Sequence, residues 1–175
     1  CRNGAIINID NPNNYGFTLR TAMYPYTDSS GTVWPNNDEC FDSSPSFYEK
    51  PRTILERYNG FDPQSAFNGF TYSHNAYDEE LDSIVYEFAP PLDNSGYDYL
   101  NPNSIAIPFL SPYTFSAPID SISIDPLTGR TSYPANLQGN YVTCTKVSSF
   151  RCGQLISEVF REIQVVISSP ICNLG

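Results

Sequence analysis

Through most of this 175-residue chain apolar and polar residues alternate at period two, and clusters of Pro, Gly, Asn and Asp interrupt the alternation. That is the pattern of strands joined by turns. The clearest stretch is Ser121 to Cys144. Ser121–Ile124 alternates, and Asp125-Pro126-Leu127-Thr128-Gly129 supplies a turn in which Pro126 fixes φ and Gly129 is free to take the left-handed conformation. Pro134 to Gly139 makes a second break, after which Asn140–Val147 resumes as a strand with Tyr141 and Val142 on opposite faces. Strand, turn, strand, turn, strand is a folding signature, and no catalytic logic attaches to it.

The same reading extends outward. Ala5–Ile9 predicts a short strand cut off by the turn cluster Asp10-Asn11-Pro12-Asn13-Asn14. Gly16–Tyr24 predicts the next, with Phe17, Leu19, Thr21 and Met23 sharing a face. Pro25 to Cys40 reads as a polar connection, and Ser44–Phe47, flanked by Pro45 and Pro51, as an edge segment. Thr53–Tyr58 is either a short helix or a strand. Ser65–His74 and Ile84–Phe88 are strands; Pro90 to Pro118 is a long irregular stretch with short strands at Ile105–Phe109 and Tyr113–Phe115. Leu155–Ile167 contains good helix formers, but Val159, Ile163, Val165 and Ile167 keep period two, so a strand closes the chain.

Composition agrees. With 13 Tyr, 11 Phe and 15 Pro the chain favours pleated surfaces and turns over helices. Apolar residues make up 40% and charged residues 16%, enough for a core under a polar, weakly charged surface. No run approaches the roughly 18 apolar residues of a spanning helix, so no membrane insertion is expected. A net charge of −10 argues against nucleic acid, whose phosphates need Lys and Arg, and is compatible with divalent cations. Five cysteines suggest an oxidising compartment, and their odd number leaves one free or partnered outside the chain. The opening Cys1-Arg2-Asn3 reads as the start of an internal fragment or processed product.

Few residues suggest chemistry. Asp78, Glu80 and Asp82 have the alternating spacing of a loop that offers hard oxygens to Ca²⁺; the bland alternative is a solvated acidic loop. His74 is the only histidine and shares a strand face with Phe70 and Tyr72, which favours a packed or hydrogen-bonded imidazole over a catalytic base. The cysteines lack the close pairs of zinc ribbons, and no nucleophile motif or phosphate loop is present. Cys144 and Cys152 flank a short segment between the last two strands, where a disulfide is expected to add about 2–3 kcal/mol. Cys1 and Cys40 are a second candidate pair among several connectivities. Tyr97 and Tyr99, beside Asp93 and Asp98, make a candidate sugar-stacking platform, or simply wet-surface tyrosines.

Five segments in order resemble a large family of secreted Bacteroidetes surface proteins, giant adhesins of Ig-like and cadherin-like repeats associated with gliding and type IX secretion. They are Cys1-Arg2-Asn3-Gly4-Ala5-Ile6, Ser43-Ser44-Pro45-Ser46-Phe47, Ala76 to Tyr86, Ser123 to Gly129, and Arg151-Cys152-Gly153-Gln154-Leu155-Ile156-Ser157. In the family pattern of the third, a glycine stands where this chain has Leu81, which bears on the turn that would wrap an ion.

The resemblance implies an all-β fold, an Ig-like or cadherin-like antiparallel β-sandwich over about 43–169. Residues 1–42 would be strands and linker belonging to, or bridging to, a preceding module, and 170–175 a linker to the next. It implies a non-enzymatic scaffold in a surface adhesin or filament, outside a Gram-negative cell, whose partners are neighbouring modules and possibly surface glycans. A carbohydrate-binding module or accessory domain of a secreted hydrolase is the alternative. Asp82-Ser83-Ile84 and Asp120-Ser121-Ile122 look like the acceptor these bacteria use for O-glycans, making Ser83 and Ser121 candidate sites.

Overall fold

The computed structural model describes residues 2–35, 42–57, 69–94 and 104–168. Within them the strands are β1 (Thr21–Met23), β2 (Tyr26–Thr27), β3 (Val33–Trp34), β4 (Ser46–Phe47), β5 (Ile54–Arg57), β6 (Gly69–Ser73) and β7 (Ala76–Tyr77). The second half adds β8 (Ser83–Phe88), β9 (Leu92–Asn94), β10 (Ser104–Ala106), β11 (Ser123–Ile124), β12 (Arg130–Pro134), β13 (Gly139–Arg151) and β14 (Gln154–Ser168). The protein is all-β, with one turn of 3₁₀ helix at Pro12–Asn14.

The fold is organised around the β13–β14 hairpin, whose 13- and 15-residue strands are the longest elements described. They are joined by Cys152 and Gly153, both left-handed with φ 49° and 79°, the geometry of a two-residue turn that follows strand twist. β8 pairs antiparallel with β13, and β1 pairs antiparallel with β14. The segment that read as helix or strand is β5, and it runs parallel to the end of β14 from Ile54 opposite Val165. A second antiparallel sheet, in the order β11-β12-β6, faces this one.

β13 is buried on both faces over Tyr141–Thr145, while the outer face of β14 is half-buried from Glu162 on. Tyr141, Ile163, Val165 and Ile167 point to the inner face and form one core with Tyr133, Ile54 and Ile119 under Phe70 and Tyr72. Val142 points to the outer face and packs with Ile6, Ile9 and Ile107. Each such aliphatic side chain contributes about 2 kcal/mol on burial. The expected opposition of Tyr141 and Val142 therefore separates two cores.

The second core joins the start of the chain to the main sheet. Residues 2–35 pack on the rest of the chain: β1 extends the main sheet, Ile6 bridges Asn140, and Ile6 and Ile9 are buried against Val142. Ala5–Ile9 is not a regular strand. The amide of Asn8, fully buried, takes over the ladder: its Nδ2 donates to Val142 O at 2.8 Å and Pro118 O at 2.7 Å, and its Oδ1 accepts from Val142 N at 3.0 Å.

Other elements are shorter than their patterns. Of Gly16–Tyr24 only β1 is strand, and its alternating apolar face is outward, with Phe17, Leu19 and Met23 all exposed. Tyr113–Phe115 forms a turn closed by a bridge between Thr114 and Ala117 rather than a strand.

Candidate functional site

The expected disulfide between Cys144 and Cys152 is absent; both are free thiols, Cys144 buried and Cys152 exposed. The residues between them, expected as a loop, are strand β13. Eight residues of extended chain separate the two sulfurs by about 26 Å, against the Cα separation of under about 7 Å that a disulfide needs. Cys144 sits against Glu162, and burial pushes its thiol far above the ordinary range. Cys152 lies at the hairpin tip, where its thiol shares a hydrogen bond with Tyr26 and raises that phenol.

The acidic loop is built, but for a guanidinium. Asp78 Oδ1 accepts from the backbone N–H groups of Glu80 at 3.1 Å and Asp82 at 3.0 Å, closing the turn on itself. Leu81 takes φ 64°, the left-handed conformation that the resemblance assigns to glycine, so the turn forms without one. Asp82 does not face Asp78 across an ion; both its oxygens accept from Arg151, from Nε at 3.0 Å and Nη2 at 2.6 Å. Glu80 accepts from Ser43 Oγ at 2.7 Å. Among the described residues no three His, Cys, Asp or Glu side chains converge to hold a metal. The residues present do not fit the Ca²⁺ expected at Asp78, Glu80 and Asp82.

Arg151 gathers a fourth acid that the sequence did not flag. Asp42, its side chain wholly buried, accepts from Arg151 Nη2 at 2.8 Å. Burial pushes the Asp42 carboxyl up to about 6; Arg151 opposes the shift, while Glu80, Asp78 and Asp82 add to it. Burial likewise raises Asp78. One oxygen of each, Asp42 Oδ2 and Asp78 Oδ2, is buried without a hydrogen bond.

A second polar cluster lies inside the sandwich. Arg161 is 1% exposed and pairs with no carboxylate among the described residues. It donates to the carbonyls of His74 and Glu49, each at 2.9 Å, and to Tyr72 OH at 3.0 Å, with the Phe47 ring 4.4 Å from its guanidinium carbon. His74 is packed as its strand face suggested, its Nε2 3.0 Å from Thr145 Oγ1. Burial first, and Arg161 second, lower its pKa to about 3, so it is neutral at neutral pH. At 3% exposure it is out of a substrate's reach.

A third group sits on the outer face of β14. Arg2 forms a two-pronged ion pair with Glu162, the Nη2–Oε2 arm being 2.7 Å, and also donates to Leu92 O at 3.3 Å. These two line a cleft of about 240 Å³ together with Phe17 and Gln164.

Of the remaining candidates, Tyr97, Tyr99, Cys1 and Cys40 lie outside the described residues. Ser83 and Ser121 are both exposed; the Ser83 hydroxyl donates to Phe150 O at 3.0 Å, and Ser121 stands at φ 56° in a turn. Arg2, Asp42, Arg151 and Arg161 carry the buried ion chemistry, and nothing in the pattern of β14, which also holds Glu158 and Glu162, set Arg161 apart in advance. No protein-family model, curated protein or solved structure matches this chain.

Proposed function

We propose that this chain is a non-enzymatic structural module, of the Ig-like or cadherin-like kind, in a long secreted adhesin or filament on the surface of a Gram-negative cell, serving adhesion or gliding. The observation that carries the reading is that the segments resembling the adhesin family bind one another. Arg151, from the last segment, holds Asp82 from the third. Ser43, from the second, donates to Glu80 of the third. Tyr86 ends the third segment; its N–H donates to Pro126 O at 2.9 Å, and its ring packs so closely on Gly129 that a Cβ there would lie 2.5 Å from Cε1. The first segment is tied to β14 beyond the end of the fifth, Arg2 pairing with Glu162.

Residues spent on holding each other are residues of a scaffold: they define turn, register and closure rather than a reaction. Such a module presents its ends to neighbouring modules and its loops to the outside. The test is labelling of intact cells of the producing organism with antibody to this module. Labelling before lysis, and a band on the blot far larger than the 19.6 kDa of this chain, are expected. Labelling only after lysis, or a band of that size alone, overturns the reading.

A further inference from the structure

In the cleft on the outer face of β14 an exposed aromatic ring, amides unpaired among the described residues and a fixed ion pair meet. Its floor is apolar, formed by Val142 and Ile6, both buried. Gln164 stands directly across the ladder from Val142, and its side-chain amide has no hydrogen-bond partner among the described residues. Asn3, at the rim, uses its Oδ1 on Ala5 N at 3.0 Å and leaves its Nδ2 unpaired among those residues. Phe17 forms one wall: the Arg2 guanidinium carbon lies 5.7 Å from its ring centroid, yet the residue is 57% exposed.

This chemistry narrows the occupant. An anion is disfavoured because Arg2, the single cation in the lining, already has its charge matched by the two-pronged pair with Glu162, and its one unbonded nitrogen, Nε, is buried. A cation is disfavoured because both oxygens of Glu162 are taken by Arg2. A purely apolar ligand would strip water from the two amides without replacing it, at about 1–3 kcal/mol for each group left unsatisfied. What fits is a neutral molecule with hydroxyls that both donate and accept, and with a C–H face to lay against an aromatic ring. At about 240 Å³ the cleft falls below the roughly 300–1,000 Å³ of drug-sized pockets, which leaves room for a single ring.

We infer that the cleft between Phe17 and Gln164 binds one neutral saccharide ring, with Phe17 as the stacking platform and Gln164 and Asn3 as the hydroxyl partners. The inference goes beyond the scaffold reading and is independent of it; cell labelling can succeed where the sugar titration fails, and the reverse.

The test is saturation-transfer NMR and calorimetric titration of the full chain. The probes are the methyl glycosides of glucose, galactose and mannose, and N-acetylglucosamine, up to tens of millimolar. At least one sugar is expected to saturate, and Phe17→Ala and Gln164→Ala are each expected to weaken it roughly tenfold, the scale of one aromatic or amide contact. Phe17 is exposed and Gln164 half-buried, and an unchanged melting temperature confirms that each variant is folded. Silence across the panel overturns the proposal. So does binding that survives both substitutions, or binding that Tyr97→Ala or Tyr99→Ala removes while Phe17→Ala does not.

Discussion

Two loops of this protein share one backbone device and differ in which way the pKa of the aspartate that builds it is shifted. In the first, Asp28-Ser29-Ser30-Gly31-Thr32 between β2 and β3, Asp28 Oδ1 accepts from Ser30 N and Thr32 N, each at 2.9 Å, and Gly31 takes φ 85°. In the second, Asp78-Glu79-Glu80-Leu81-Asp82, Asp78 Oδ1 accepts from the N–H groups at the same two offsets, and Leu81 takes φ 64°. In both, the N–H of the fourth residue also returns to the carbonyl of the aspartate.

The second oxygen separates them. Asp28 Oδ2 accepts from Trp34 Nε1 at 3.2 Å, and Asp28 Oδ1 takes a further bond from the Ser30 hydroxyl at 2.6 Å. Hydrogen bonds from Ser30, Thr32 and Trp34 hold its carboxyl down at about 2. Asp78 Oδ2 is buried with no hydrogen bond, and burial raises its carboxyl, with Asp82 and Glu80 adding to the effect. Two backbone N–H donors are common to both, so they do not set the direction of the shift; the added side-chain hydrogen bonds at Asp28, and burial with neighbouring acids at Asp78, do.

The largest effect expected is at the cation that holds Asp82 of the second loop. Arg151→Ala leaves Asp42 and Asp82 without their partner, and Asp42 is wholly buried. Removing one side of a buried pair costs on the order of 3 kcal/mol, less here because Arg151 is partly exposed. Urea unfolding measures the loss. Hydrogen exchange localises it: Asp82 N–H is expected to lose protection while Thr32 N–H keeps it. Arg151→Ala combined with Asp42→Asn is expected to recover part of the loss, since a neutral amide needs no counter-charge. Equal loss of protection at both loops breaks the comparison.

The next effect is a difference of sign with pH. Asp78 has a raised pKa, so it contributes stability fully present below the ordinary carboxylate value of about 3.9, and that stability is lost as pH rises through its folded value. Asp78→Asn keeps the accepting oxygen and removes the charge. It is expected to be more stable than the natural protein at pH 7, with the advantage fading toward pH 4. Asp28 has a lowered pKa; its stability is present above about 3.9 and lost as pH falls through about 2. Asp28→Asn is therefore expected to be less stable at pH 7, with the deficit shrinking only below about pH 4. Thermal melts of the two variants between pH 3 and pH 7 check both, and curves that move in the same direction sink the burial argument.

Much of this was legible along the chain, but unevenly. The turn at Asp125 was readable because it is local: the carboxylate accepts from Leu127 N and Thr128 N, and Gly129 takes φ 64° as its position demanded. The period of β14 was readable for the same reason. The alternation in Phe17, Leu19 and Met23 is just as regular, yet those side chains point outward, because periodicity states which residues share a face and not which face is covered. Asn8, inside the apolar run Ala5–Ile9, and Asp42, before a run of serines, carried no signal of their roles, because each depends on a strand more than 100 residues away. Arg161 balances its charge on carbonyls and aromatic rings, and the acids nearest it in sequence, Glu158 and Glu162, pair instead with Lys146 and Arg2.

The smallest effect expected tests the backbone device itself, apart from charge. A non-glycine residue in the left-handed region costs about 1–2 kcal/mol, offset by the 0.5–1 kcal/mol that glycine loses in chain entropy. Leu81 takes that cost at φ 64° while 90% exposed, so its side chain contributes no packing that glycine would forfeit. Leu81→Gly is expected to stabilise by about 0.5 kcal/mol. Gly31 is the mirror case: it holds φ 85°, and nothing lies within 4 Å of where a Cβ would stand. Gly31→Ala is expected to destabilise by a similar ~0.5–1 kcal/mol, through conformation alone. Urea midpoints for the two variants, compared at one pH, measure both shifts. If Leu81→Gly lowers the midpoint, Leu81 is held by contacts beyond its backbone angle, and the two loops are not the same device.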